Sequence, residues 1–331
     1  MKSLSLIDNL ELKTSLCGVY AVFMGDFMNR LSFDVPDYKK VRVIIDTDAA
    51  CEADDPFAIV HALLSPKLIV KGILAEHFNG KGTVQRSFDE IITILNAINL
   101  EIPVFMGEEF PLDYSQPFGQ NVKSVSAASD FIINEALKND EKPLFVLCQG
   151  AITNVAAAIM KAPDITKKMT IIWIGTHGLQ TSAPFREFNA GNDIAGANFV
   201  LSSGADIWLV PSDVYCTITV GLAELQKKVL PCGKIGKHLF EQMVDYNNSE
   251  FASWTQGESW SLGDSPAIAI AINPGCGKFI VHNAPFVNGD TSSSFYSELP
   301  KIRIYTQIDS RYILEDFFAK LELCCLEKKC L

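Results

Sequence analysis

Six short runs of apolar, largely β-branched residues recur along the chain with helical patterns between them, and this alternation restricts the fold more than any other feature. The runs are VRVIID (41–46), LIVKGILAE (68–76), PVFMG (103–107), PLFVLCQG (143–150), MTIIWIGT (169–176) and ADIWLVP (205–211). Consecutive apolar side chains on a strand point to both of its faces, so both faces need cover. Helical spacing at 56–64, 83–97, 125–138, 152–161 and 193–202 supplies it. Such alternation predicts an α/β fold, an open, mostly parallel β-sheet flanked by helices. Two later runs, KFIVHNAPFV and KIRIYTQI, follow two further helical stretches, and a terminal helix is expected over roughly 312–324. With no linker, repeat or low-complexity segment in view, residues 41–331 read as one domain and residues 1–40 as an N-terminal extension.

In a sheet of this kind ligands bind beyond the carboxyl ends of the strands. The polar residues that follow the strands are therefore the ones to collect, and the first group is dense. Asp46, Asp48, Glu52, Asp54 and Asp55 fall within ten positions. Asp55-Pro56 reads as a helix start, because Pro suits the first helical turn and Asp the position before it. That explains Asp55 but not Asp46 and Asp48 beside it. Carboxylates converging on one sheet end raise one another's pKa, and a bound cation removes the conflict. Oxygen ligands suit Ca²⁺ or Mg²⁺ better than Zn²⁺. An EF-hand is excluded, since Cys51 stands where its glycine would be and a strand, not a helix, precedes the loop. Further strand-end groups are Glu76, His77 and Asn79; Gln149, Thr153 and Asn154; and Thr176, His177 and Glu187 to Asn189.

These segments together resemble the inosine–uridine type nucleoside hydrolases. That family's DxDxxxDD signature is similar to Asp46-Thr47-Asp48 followed, after a loop two residues longer, by Asp54-Asp55. GILAEHFN (72–79) resembles the second strand with its functional Asn, GAITNVAAA (150–158) the GPLTNxA turn, and REFNAGND (186–193) the EFN element. GDSPAIAI (263–270) resembles the late HDPxA element, with Gly263 in the place of His. The resemblance implies calcium-dependent hydrolysis of the N-glycosidic bond of ribonucleosides, giving free base and ribose. It implies Ca²⁺ ligands at Asp48, Asp55, the Thr153 carbonyl and Asp264, with Asp48 also the general base towards the cation's water. Asp54 and Asn189 would hold the ribose 2′ and 3′ hydroxyls, Glu187 the 5′ hydroxyl, and Asn79 would orient water or sugar. Asp46 would support from behind. A homodimer or homotetramer is implied as well.

Gly263 leaves the departing base without its usual acid. His77 and His177 each follow a strand and are candidates for that role, against the alternative of ordinary loop or core hydrogen bonding. Trp254 and Trp260 are candidates for aromatic walls around the base, against plain packing; Tyr215 carries less signal. Purine and pyrimidine ribonucleosides both stay open as substrates. Two other readings compete. A haloacid-dehalogenase-like phosphatase also places DxD after its first strand, but here Ala50 stands where it carries Thr. A riboside-binding protein could keep the metal and ribose site without efficient catalysis.

Composition narrows the partners. The formal net charge is −11, which disfavours nucleic acid and anionic membranes because phosphate binding needs clustered Lys and Arg. Nine cysteines without a CxxC pair suit a reducing compartment, and no apolar run approaches the ~18 residues of a membrane span. A cytoplasmic protein acting on a small molecule is expected.

Overall fold

The computed structural model describes residues 31–78, 80–111 and 125–325. The six runs form β1 (Val41–Thr47), β2 (Leu68–Ala75), β3 (Val104–Met106), β4 (Leu144–Cys148), β5 (Thr170–Ile174) and β6 (Asp206–Val210). Between them lie α1 (Asp55–Leu63), α2 (Thr83–Ile98), α3 (Ala127–Ala136), α4 (Thr153–Lys161), α5 (Phe188–Asn192) and α6 (Ile194–Ser202). After β6 come α7 (Ser212–Tyr215), β7 (Thr219–Gly221), α8 (Leu222–Lys228), α9 (Gly233–Asn247), β8 (Ser259–Ser261) and α10 (Ser265–Ile272). The chain continues through β9 (Gly277–Asn283), β10 (Pro285–Val287), β11 (Ser293–Phe295), β12 (Lys301–Ile308) and α11 (Ser310–Cys325).

Eight strands form the main sheet in the order β3-β2-β1-β4-β5-β6-β12-β9. All neighbours pair parallel except β9, which runs antiparallel to β12 on the edge. The period-2 geometry of a strand divides the apolar runs between two cores. Val43 and Ile45 of β1 join one buried cluster and Ile44 the other; in β5, Ile172 and Ile174 oppose Ile171 and Trp173 in the same way. That double burial is why these runs are continuously apolar.

KFIVHNAPFV is not one strand. Ala284 interrupts it, leaving β9 on the main sheet and β10 in a hairpin with β11. Pro285 has no N–H with which to continue the ladder to β12. The Asn283 side chain meanwhile donates to the carbonyls of Tyr296, Ser297 and Leu299, fixing the bend.

Successive strands are added on one side of β1 as far as β3, and on its other side from β4 onward. The chain therefore reverses its direction of travel between β1 and β4, and the loops leaving their carboxyl ends part to form a crevice. Among the described residues no helix is long and apolar enough to cross a membrane.

Candidate active site

A cleft of about 630 Å³ opens at this crevice, with the carboxylates of Asp48, Glu52, Asp54, Asp55 and Asp264 in its lining. Two helix starts deliver three of them. Asp54-Asp55-Pro56 opens α1, Asp264-Ser265-Pro266 opens α10, and the two helices pack together. The positive ends of both helix dipoles thus lie among the acids. The Thr47 hydroxyl donates to Asp55 Oδ1, while the backbone of Gly263 and Asp264 beside the Asp54 carboxylate offsets part of the rise that burial imposes on it.

Ligand oxygens of Asp54, Asp55 and Asp264 lie within 4.8 Å of one another, and all three residues are buried. Burial is the main force on each. It pushes Asp54 up to about 6 and Asp55 up to about 7, with Asp54's charge adding to Asp55's rise. Asp48 and Asp264 are driven well above the usual carboxylate range by burial and then by their acidic neighbours. Asp48 Oδ2 is buried without a hydrogen-bond partner. Oxygen-only donors, mutual repulsion and an orphaned carboxylate oxygen are what a hard divalent cation would relieve. The residues fit such an ion. The compact triad contains Asp54 where the sequence resemblance names Asp48, and the two sets share Asp55 and Asp264.

Opposite in sequence, the turn after β5 is over-determined. Thr176 has φ 63°, a left-handed conformation that a β-branched residue adopts only under constraint. Three hydrogen bonds supply that constraint: Thr176 N–H donates to Glu187 Oε2 at 2.8 Å, Ser212 N–H donates to the Thr176 carbonyl at 3.0 Å, and Gly178 N–H donates to Thr176 Oγ1 at 2.9 Å. Glu187 caps α5 and is fully buried. Besides Thr176 it accepts from Ala190 N–H at 2.8 Å, Asn189 N–H at 3.3 Å and the Tyr215 hydroxyl at 2.9 Å. The expected grip on a 5′ hydroxyl therefore meets a carboxylate whose two oxygens already have four donors. What reaches the cleft instead is Tyr215, held by that carboxylate. Asn189 also lines the cleft; its Nδ2 donates to the carbonyls of Gln149 and Ile174, which fixes the amide plane.

Both candidate histidines are turned away from the cleft. His77 Nε2 lies 2.8 Å from the Thr153 hydroxyl, which gives its own proton to Asp193 Oδ2, so the imidazole is the donor. Burial lowers the His77 pKa to about 4. His177 Nε2–H donates to the Phe185 carbonyl at 2.9 Å and Nδ1 bonds the Ser212 hydroxyl at 2.7 Å. Neither histidine is in the lining of the cleft; both are buried and held in local hydrogen bonds. Thr153 sits buried at the start of α4. Trp254 is on the cleft wall, whereas Trp260 is buried behind it at a ring distance of 5.1 Å and packs on Tyr246. Trp260 is therefore support for the wall rather than a surface for the base. Asn79 lies outside the described residues.

Several residues of the site carried little sequence signal. Glu76, one residue past β2, is buried beside Asp46 and Asp48; burial and then the Asp46 charge push its pKa well up, and both of its carboxylate oxygens are without a hydrogen-bond partner. Its strand-end position was the available clue. Gln149 follows β4, lines the cleft and leaves both side-chain polar atoms buried and unpartnered. Phe185, Phe188 and Tyr215 complete the aromatic lining. A side chain at 263 would be crowded: a Cβ there would lie 3.1 Å from Tyr215 Cδ2 and 3.3 Å from Asp54 Oδ2.

A sequence model of inosine-uridine preferring nucleoside hydrolases matches residues 43–314. The chain is similar to the pyrimidine-specific ribonucleoside hydrolase RihA of Escherichia coli O1:K1, at 25% identity over 243 residues, 68% of this chain and 75% of that one. Its fold is similar to that of the plant nucleoside hydrolase PpNRh1, with a TM-score of 0.71 at 20% identity over 85% of this chain and 99% of that one. A purine-preferring ribonucleoside hydrolase from Gardnerella vaginalis matches with a TM-score of 0.71 at 21% identity, over 86% of this chain and 100% of that one.

Proposed function

Because this chain belongs to the inosine-uridine preferring nucleoside hydrolase family, we propose that it hydrolyses the N-glycosidic bond of ribonucleosides to free base and ribose in a Ca²⁺-dependent reaction. The observation that carries this reading is the convergence of buried Asp54, Asp55 and Asp264 with Asp48 in one cleft at the carboxyl ends of β1 and β4.

Asp48, Asp55, Asp264 and the Thr153 carbonyl would hold the cation. When bound, Ca²⁺ neutralises the crowded carboxylates and makes a nearby water easier to deprotonate. Asp48 takes the proton of the attacking water. Its unpartnered Oδ2 supports that role, because a proton acceptor has to be free to accept. Asp54 and Asn189 hold the sugar's vicinal hydroxyls, and the unpaired Gln149 carboxamide offers a donor and an acceptor to substrate or water. Asn79 would orient water or sugar. As the C1′–N bond breaks, positive charge develops on the sugar, and the surrounding carboxylates stabilise it. The same reading includes assembly as a homodimer or homotetramer in the cytoplasm.

One observation favours a second reading, riboside binding without efficient turnover: the four donors on Glu187 leave it little freedom to grip the sugar. Base release from inosine, adenosine, guanosine, uridine and cytidine, with 2′-deoxy controls, separates the two. Turnover that requires Ca²⁺ and the 2′ hydroxyl supports the hydrolase. Ca²⁺-dependent riboside binding without base release supports the binding protein.

A further inference from the structure

The cleft walls specify the charge of the departing base, granted the hydrolase reading above. A base attached through a neutral ring nitrogen leaves as an anion unless a donor protonates it. The chain's five histidines are all turned to other partners: His61 to Asp316, His77 to Thr153, His177 to Ser212 and Phe185, His238 to Glu90 and His282 to the Asn283 carbonyl. The Tyr215 hydroxyl is given to Glu187. Arg186, the one basic side chain in the described lining, donates to the carbonyls of Gly191 at 2.8 Å and Gly289 at 2.9 Å. Burial and then the Glu187 charge push the Cys216 thiol up to about 12, so it is not a ready donor. The carboxylates are the remaining protonatable groups of the lining, and among them Glu52 is tested by substitution below.

The walls have two other properties. Phe185, Phe188 and Trp254 are 48%, 40% and 58% exposed, a display of aromatic surface that the protein itself leaves uncovered. His177 braces Phe185 edge-on at 4.9 Å, and Trp260 backs Trp254. Five carboxylates and a single guanidinium line the cleft, a crowding of buried acids that an entering cation relieves. Aromatic faces in an anionic setting attract a flat cation.

We propose that the preferred substrates are ribosides whose base carries a fixed positive charge, an N-ribosylated pyridinium or an N7-alkylated purine, seated among Phe185, Phe188, Tyr215 and Trp254. Such a base needs no acid. The water oxygen bonds to C1′, the C1′–N bond breaks, and its electron pair returns to the ring and cancels the positive charge. The base leaves neutral, and the proton lost by water goes to Asp48.

The test has a binding arm and a turnover arm, both on the full chain with Ca²⁺. The binding arm compares 1-methylnicotinamide, a cation that cannot be hydrolysed, with neutral nicotinamide, read by tryptophan fluorescence and calorimetry. The cation is expected to bind at least tenfold tighter, with the preference lost in Trp254→Ala and reduced in Glu52→Gln. Equal affinities would overturn the proposal whatever the enzyme's activity. The turnover arm compares 7-methylguanosine with guanosine, corrected for their uncatalysed rates. At least tenfold higher kcat/KM for the cation supports the proposal; equal values overturn it and leave the hydrolase standing. Glu52→Gln that abolishes guanosine turnover but keeps cation affinity would make Glu52 a proton donor and overturn it too. Base release from neither purine riboside, nor from the nucleoside panel above, would instead sink the hydrolase reading.

Discussion

Gly150→Ala probes the geometry of the acidic cluster with a single methyl group. Gly150 follows β4 at the bottom of the crevice, and a Cβ there would lie 2.3 Å from Glu76 Oε2, 2.7 Å from Asp48 Cγ and 2.8 Å from Asp48 Oδ1. Ordinary carbon contacts begin near 3.5 Å, so the two acids must retreat by about 1 Å. Glu76, 1% exposed, has little room, and Asp48, 2% exposed, retreats only by shifting within the acidic cluster it lines. Backbone movement is also resisted, because the Gly150 carbonyl accepts from Trp173 Nε1 at 3.1 Å. Overpacking of this kind costs about 1–3 kcal/mol. A catalytic group misplaced by about 1 Å costs on the order of 10²-fold in rate. Urea unfolding at pH 7 reads the first quantity and kcat on the best ribonucleoside reads the second. If Gly150→Ala unfolds within about 0.5 kcal/mol of the parent and keeps its kcat, the close approach of Glu76 and Asp48 to Gly150 is wrong.

Asp264→Asn should separate the ion from the fold: it relieves repulsion on Asp54, Asp55 and Asp48, so the metal-free variant melts no lower than the parent, yet its Ca²⁺ affinity falls at least about tenfold. Thermal melts with and without Ca²⁺ check this, and an unchanged Ca²⁺-induced rise in Tm would remove Asp264 from the ligand set. His61, fully buried, gives a pH dependence away from the cleft. Burial lowers its pKa from 6.5 to about 4, so the unfolded chain takes the proton first. The stability of the neutral form is whole above pH 6.5 and is lost as pH falls towards 4, a change on the order of 3 kcal/mol. Denaturant melts at pH 7.5 and 4.5 should show a smaller pH slope in His61→Gln than in the parent; identical slopes would refute it.

The layout of the sheet was legible because its causes are local. VRVIID and MTIIWIGT carry apolar side chains at consecutive positions, 43–45 and 171–174, and a strand covered on both faces uses such a run. Asp55-Pro56 marks a helix start by the chemistry of the first turn, and its acid therefore had to sit at a helix N-terminus; the structure shows Asp264-Ser265-Pro266 built in the same way. The split of KFIVHNAPFV was the local exception. There Asn283 binds carbonyls more than ten residues away, which no pattern within the run reveals.

The sequence by itself determined the strand and helix alternation, the gathering of acids at strand ends, and through five ordered motifs the resemblance to a family. Only the tertiary structure decided which of those side chains look into the cleft. His77 and His177 read as candidate acids, but Thr153, Ser212 and the Phe185 carbonyl claim their ring nitrogens. Glu187 sits in the expected motif, yet Tyr215, 28 residues later, uses it as a perch, and Trp254 reaches the surface that Trp260 only supports. The physical reason is the same in each case. Backbone periodicity is set by neighbours in sequence, whereas the direction of a polar side chain is set by whichever buried partner would otherwise lack a hydrogen bond, and that partner is brought in by the fold.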